Sequence, residues 1–327
     1  MLRRLFIVCM VCLFFASFAC VTAPQEAEAN PQEEQKTIVL GFSQLGSESA
    51  WRNGNSRSIQ EAAERYGIQL MFKNALQKQE NQIKAIRSFI AYQVDVIVFA
   101  PIVEDGWDNV LAEAKEAGIP VLLCDRYVNV KDESLFAGFI GSDFVEEGRR
   151  AAQFLLDRTR YFDAPVRIVE LTGTPGSSPM QGRAEGFREL LANNPKYEIV
   201  QTISGDFLRS KGKEKMIELL RSVPNIDVLF SHNDSMTLGA IEAIEEAGLR
   251  PGKDIIIISV DGEQAAIDAI RAGKINCVVE CTPLMGDRVM ELAILLAMGQ
   301  PIPRKTYNIE RVFTEYDDLT LVGERGY

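Results

Sequence analysis

The chain has 327 residues, of which 46% are hydrophobic and 25% charged, and carries a net charge of −11. That length is ample for two lobes with separate cores, and the composition is globular rather than disordered. The acidic balance, with no basic cluster along the body of the chain, excludes a nucleic-acid surface, because phosphates demand a basic face.

Arg3 and Arg4 precede an apolar run from Leu5 to Ala19. This reads as the core of a signal peptide, too short to span a membrane. Residues 1–19 are therefore expected to direct export, leaving the protein periplasmic or anchored to the outer face of the membrane. Ser17-Phe18-Ala19-Cys20 reads as a lipoprotein cleavage site with Cys20 lipidated; cleavage after Ala29 is the alternative. Residues 20–36 hold few apolar groups and many Glu and Gln, and are expected to be a flexible tether. Beyond Cys20 only Cys124, Cys277 and Cys281 remain. An odd number is a poor disulfide framework, and these thiols read as small buried hydrophobes.

Strand and helix patterns then alternate. Residues 37–42 predict a strand, 52–66 a helix stopped by Gly67, and 69–72 a strand. A helix over 79–92 carries Ile83, Ile86 and Ile90 on one stripe. A strand over 94–100, a helix over 107–117 stopped by Gly118, and a strand over 121–124 follow. The rhythm restarts with a strand at 136–140 and a helix at 145–158. It continues through strands at 166–171, 199–203, 228–230, 255–260 and 275–279 and the helices between them, the helix over 236–247 ending at Gly248. A helix over 285–298 and strand-like pieces around 307–313 complete the chain. The fold class expected is α/β: two doubly wound, Rossmann-like parallel-sheet lobes of about five strands each. No long Pro/Gly linker separates them, so they should meet along a narrow hinge of several strands, with a ligand cleft between.

Three apolar runs end abruptly in polar groups: 121–124 in Asp125-Arg126, 226–230 in Ser231-His232-Asn233-Asp234, and 255–260 in Asp261-Gly262. In open parallel sheets the ligand lies at the carboxyl ends of the strands. These residues therefore suit a hydrogen-bonding site for a small, hydroxyl-rich molecule. Asp125 and Arg126 alternate across a strand, so separate roles are expected, with at least one facing the crevice. Asp234 fits a helix cap better than Asn233, which would leave Asn233 for the ligand. Asp261-Gly262 reads equally as a turn or as a ligand carboxylate. The Gly-rich turn after the first strand runs Gly46-Ser47-Glu48-Ser49-Ala50-Trp51-Arg52 and lacks both dinucleotide and P-loop fingerprints. Trp51 beside Arg52 suits a sugar face and its hydroxyls, or Trp51 simply staples the helix start. The matching turn of the second half, 173–178, reads more readily as a plain turn, with Arg183 just inside the next helix. His232 is the sole histidine. That excludes a histidine-rich metal cluster, and no G-x-S-x-G elbow supports a triad. No cofactor and no metal are expected. Paired carboxylates for glycoside cleavage are harder to exclude: Glu48, Asp125, Asp261 and Glu280 are the candidates.

The segments 41–52 (GFSQLGSESAWR), 77–101 (QKQENQIKAIRSFIAYQVDVIVFAP), 204–212 (SGDFLRSKG) and 232–236 (HNDSM) resemble the ribose/galactose-type periplasmic binding proteins, the sugar-capturing components of bacterial ABC importers. The resemblance runs over residues 37–327. It implies the type I periplasmic binding protein fold, with residues 37–141 plus 282–311 as one lobe, 142–281 plus 312–327 as the other, and a three-crossing hinge. It implies a monomer that closes over one galactofuranose-like monosaccharide and delivers it to an ABC permease. By resemblance the sugar is held by Glu48, Ser49, Ala50, Trp51, Arg52, Asp125, Arg126, Arg183, Asn233 and Asp261. Phe207 matches an aromatic wall and Glu280 a polar hinge contact. One departure stands out: where relatives read Ala-Asp-Asn after the first crossing, Phe144 follows Ser142-Asp143 here, and one hydroxyl contact is expected to be lost. A sugar-responsive repressor would need a helix-turn-helix where this chain has its signal and tether. A sugar-modifying enzyme, or a sensor presenting its ligand to a chemoreceptor or kinase, are the other readings.

Overall fold

The computed structural model describes residues 37–327. The expected signal segment 1–19, the tether 20–36 and Cys20 lie outside the described residues.

The first half runs β1 (Val39–Gln44), α1 (Ala50–Arg65), β2 (Gln69–Asn74), α2 (Gln79–Ala91), β3 (Val96–Phe99), α3 (Asp108–Glu116), β4 (Val121–Cys124) and β5 (Gly138–Gly141). The second runs α4 (Phe144–Arg158), β6 (Val166–Thr172), α5 (Ser178–Leu191), β7 (Tyr197–Ser204), α6 (Arg209–Ser222), β8 (Val228–Ser231), α7 (Asp234–Glu246), β9 (Ile256–Asp261), α8 (Gln264–Arg271) and β10 (Cys277–Glu280). The chain then passes through α9 (Gly286–Ala297), β11 (Lys305–Tyr307) and β12 (Val312–Thr314). Two six-stranded sheets result, ordered β11-β5-β4-β3-β1-β2 and β12-β10-β9-β8-β6-β7. Pairing is parallel except for β12, which runs antiparallel to β10. The α/β, doubly wound class is as the pattern predicts. Each sheet gains a sixth strand from the pieces near the end of the chain.

The central strands β3, β4, β8, β9 and β10 are buried along their whole length, which is why their sequences are mainly apolar runs rather than alternating ones, with Ser231, Ser259, Asp261 and Glu280 as buried polar residues. The edge strands β2 and β7 are half-exposed and carry Lys73, Asn74, Glu198 and Gln201. Gly67, Gly118 and Gly248 follow their helices with φ of +65°, +73° and +78°, the left-handed stop read from the sequence.

The chain passes between the sheets at three places: residues 142–143 after β5, 281–285 after β10, and 308–311 between β11 and β12. One carboxylate joins all three. Glu310 Oε1 accepts from Ser142 Oγ at 2.6 Å and from the Thr282 N–H at 2.8 Å. In both sheets the strand order reverses beside the first strand, β1 or β6. The carboxyl ends of the strands therefore face each other across the cleft.

Candidate functional site

The α1 end of the first sheet is built around Arg52. Ser49 caps the helix by accepting the Arg52 N–H, which fixes the turn that carries the guanidinium. Arg52 is 3% exposed and donates to Asp125 Oδ2 at 2.6 Å, Glu48 Oε1 at 3.1 Å and Gln44 Oε1 at 3.2 Å. Burial opposes its charge, but Asp125 and Glu48 outweigh burial and hold its pKa above the usual value. The guanidinium lies 4.6 Å from the Trp51 ring centroid, and the Trp51 indole N–H donates to the Cys281 carbonyl at 2.6 Å. Trp51 is thus tied to the second crossing as well as facing the cleft.

Asp125 and Arg126 both face the cleft, where at least one was expected, and Arg126 Nε lies 3.8 Å from Asp125 Oδ2, a mutual pair that strand alternation made awkward. Asp125 has φ +65°, so the backbone leaves the pleat at that residue. Arg126 Nη1 donates to the Ile102 carbonyl at 2.8 Å, while its buried Nε has no hydrogen-bond partner. Burial first, and then repulsion from Arg52, push the Arg126 pKa down to about 10. Its guanidinium sits 5.3 Å from the Phe207 ring of the opposite lobe.

The second lobe answers with Arg183, 3% exposed. Its Nε donates to Glu147 Oε2 at 2.7 Å, its Nη1 donates to the His232 carbonyl, and its Nη2 lies 3.6 Å from Asp261 Oδ1. Phe144, the departure noted in the sequence, packs its ring 5.4 Å from this guanidinium. Each of Arg52 and Arg183 therefore sits between two carboxylates, a rigid donor array at either wall.

The assignment of the α7 cap is reversed. Asn233 is the cap, its Oδ1 accepting the Met236 N–H at 2.9 Å. Asp234 is buried behind it: Oδ2 accepts the N–H groups of Gly262 and Glu263 at 2.7 Å each, and Oδ1 accepts from Ser259 Oγ. It thereby aims the turn that carries Asp261, which has φ +125°. Burial and the nearby Glu263 push the Asp234 carboxyl up to about 8, and burial raises Asp261 as well.

Between these groups lies a narrow cavity. Glu48, Ser49, Trp51, Arg52, Asp125 and Arg126 line it from one side and Arg183, Phe207, Asn233 and Asp261 from the other. Pro179 and Cys281 also line it, and sequence reasoning missed both. Pro179 sits at the head of α5 much as Trp51 sits at the head of α1, a symmetry that was available as a signal. Cys281 follows the last residue of β10 and carried no signal beyond its place. Two expected residues are elsewhere. Ala50 is exposed on the outside of the first turn of α1. Glu280 is tied up at the hinge, pairing with Arg325 and accepting the Arg311 N–H at 2.9 Å.

Gly173 shows why the second Gly-rich turn is glycine-rich. A Cβ there would lie 1.8 Å from the Phe207 ring, so the wall of the cavity rests directly on backbone. His232 is fully buried with Nε2 3.1 Å from Glu170 Oε1, a structural place behind the site. Burial raises the pKa of Cys124, Cys277 and Cys281, which keeps them as thiols. Glu147, Cys281 and Glu310 bring donor atoms within 4.8 Å of one another. Arg183 already holds the Glu147 carboxylate and the hinge groups hold Glu310, so this cluster is a knot of the hinge.

The chain as a whole is similar to known proteins. A family model described as a periplasmic binding protein domain matches residues 40–301. Galactofuranose-binding protein YtfQ of Escherichia coli (strain K12) is 45% identical over 251 residues, covering 76% of this chain and 78% of that protein. A solved structure from Mycobacterium smegmatis in complex with beta-D-fucofuranose superposes with a TM-score of 0.84 at 48% identity, over 85% of this chain and 92% of the other. The binding component of the arabinose ABC transporter from Shewanella sp. ANA-3, bound to alpha and beta-L-arabinofuranose, gives a TM-score of 0.82 at 45% identity over 85% and 92%. With the domain model spanning both lobes and the cleft between them, the chain belongs to the periplasmic binding protein family.

Proposed function

We propose that this chain is the extracytoplasmic solute-binding protein of an ABC importer, holding one monosaccharide in a furanose ring, galactofuranose-like, and passing it to a membrane permease. The observation that carries the reading is the interlobe cavity, where buried guanidiniums alternate with carboxylates and Glu48 Oε2 and Arg126 Nε have no hydrogen-bond partner among the described residues. The cavity is narrow and lined from both lobes, which suits a small guest rather than an extended one. Sugar hydroxyls both donate and accept, so they match a wall of alternating charge. Hydrogen bonds to charged groups give about 1.5–3 kcal/mol each, and several are needed to offset an association cost of about 4–15 kcal/mol. Trp51 and Phe207 supply apolar faces for the C–H side of the ring.

In this reading Glu48, Ser49, Trp51, Arg52, Asp125, Arg126, Arg183, Phe207, Asn233 and Asp261 hold the sugar. The lobes 37–141 with 282–311 and 142–281 with 312–327 close about the hinge and present a joint surface to the permease. The furanose ligands named for the similar proteins support the ring form. Binding without turnover is supported by Asp125, which is committed to Arg52 rather than poised for proton transfer. Cys20 is proposed to carry a lipid anchor, on the strength of the basic-apolar-small segment before it.

Native mass spectrometry of freshly purified protein, followed by calorimetric titration with the equilibrium mixture of D-galactose, tests the reading. A retained hexose or pentose and saturable binding are expected. Absence of any monosaccharide binding, or a chemically altered sugar after incubation, would overturn it.

A further inference from the structure

We infer that two hydrogen bonds the sugar does not make, from the Trp51 N–H to Glu263 and from the Tyr127 N–H to Ser178, latch the cleft shut and set how long the guest is held. The inference rests on the ligand-binding reading above and adds residues outside the cavity wall.

The first latch spans 212 positions of sequence: the Trp51 N–H donates to Glu263 Oε1 at 3.2 Å. This N–H belongs to the first turn of α1, where helix amides have no partner within the helix. Ser49 satisfies its neighbour Arg52 from the same lobe, but Trp51 is satisfied only from the opposite one. Glu263 is 3% exposed and is not free to follow α1 when the lobes part. Its Oε1 also accepts from Ser235 Oγ at 3.0 Å, and its backbone N–H is held by Asp234 at 2.7 Å. Opening therefore removes a partner from a buried carboxylate and from a helix-terminal amide together.

The second latch lies across the pocket. The Tyr127 N–H donates to Ser178 Oγ at 2.9 Å. Beside it the Glu104 N–H donates to the Gly176 carbonyl at 2.9 Å, and Gln181 Nε2 donates to Glu104 Oε2 at 2.6 Å. The Gly-rich turn of the second lobe thus serves as a lip that receives the first lobe.

The placement of the donors links the latches to the guest. Trp51 precedes Arg52 and Tyr127 follows Arg126, so each latch donor is the backbone neighbour of an arginine lining the cavity. The acceptors are placed alike: Glu263 lies just past Asp261, and Ser178 opens the helix that carries Arg183. A guest that lets both arginines keep their seats lets both latches form; one that displaces either arginine loses a latch. The latches act in the closed state alone, so they govern release rather than capture.

Stopped-flow fluorescence with D-galactose tests this on Glu263→Gln, Ser178→Ala and the double variant. Glu263→Gln keeps the acceptor but removes its charge and should speed release about threefold, and loss of the neutral bond in Ser178→Ala should also speed it about threefold. Association rates should stay within about threefold, and the melting temperature of the sugar-free protein should stay close to wild type. Release within about twofold of wild type in both single variants, with wild type binding normally, overturns the latch. A fall in association matching the rise in release also overturns it, since that would be damage to the pocket. If wild type does not bind galactose, the functional reading above fails, and small-angle scattering judges the latch by itself. A more open double variant supports it, and a profile identical to wild type refutes it.

Discussion

Glu310→Gln is the sharpest probe of the hinge. Glu310 lies in the third crossing and its Oε1 receives Ser142 from the first and Thr282 from the second. Burial first, and then repulsion from Glu147, push its carboxyl up to about 8, against the opposing pull of Ser142, Thr282 and Arg183. An unfolded glutamate titrates near its ordinary value of 4.5. The folded protein therefore keeps a proton that the unfolded chain gives up between those values. The stabilisation this proton provides is fully present below about pH 4.5 and is lost as pH rises through about 8. A displacement of that size corresponds to an upper bound of about 5 kcal/mol, and water at a half-buried group reduces it to about 2–3 kcal/mol. Glutamine keeps both acceptor bonds, is neutral at every pH, and removes the repulsion from Glu147. Melting curves of wild type and variant from pH 5 to 9 should lie closest at pH 5, diverge steadily as pH rises, and hold a constant difference above about pH 8. The variant should end roughly 4 °C higher, given the unfolding entropy of a domain this size. Asp234 gives wild type and variant the same pH trend, so the difference curve isolates Glu310. A difference that does not change with pH would refute the reasoning.

Asp125→Ala and Arg183→Ala should each abolish the thermal stabilisation produced by sugar, which at about 100 times Kd amounts to about 2.7 kcal/mol in the wild type. Retained stabilisation in both would rule out this pocket. Gly173→Ala should weaken sugar binding at least tenfold with a smaller effect on melting, because its Cβ would displace the Phe207 ring by which the wall is formed; calorimetry reads the loss. Cys124, Cys277 and Cys281 should resist a thiol reagent in the folded protein and react together on unfolding, since all three are buried and held protonated. Rapid native labelling of Cys281 would show that the second crossing opens locally.

Much of the fold could be read because buried parallel strands advertise themselves: β4, β8 and β9 are apolar on both faces and stop at polar residues. The same stops located Asp125, Arg126, Asn233 and Asp261, because topology alone places strand ends at the cleft. Local rules failed where tertiary bonds decide. Asn233 and Asp234 are both good caps, and only the amides of Gly262 and Glu263, which need an acceptor, pull Asp234 inward. Strand alternation did not foresee that Asp125 and Arg126 face the cleft together, because nothing in the sequence announces a left-handed residue at Asp125. Nothing in the sequence singles out Glu147, Glu263 or Glu310. Each is inside because its partner, Arg183, the Trp51 amide or Ser142, arrives from a distant segment. Periodicity carries no information about such pairs.

The three crossings are short and lie side by side, with residues 142–143, 281–285 and 308–311 as the only spacers. One strap would let the halves twist and slide freely; several straps abreast leave a single swing, like a book on its spine. Every opening then ends with the same page facing the same page. A fluorophore pair placed across the outer margin of such a molecule would report occupancy as one reproducible change in separation, with no intermediate orientations to average.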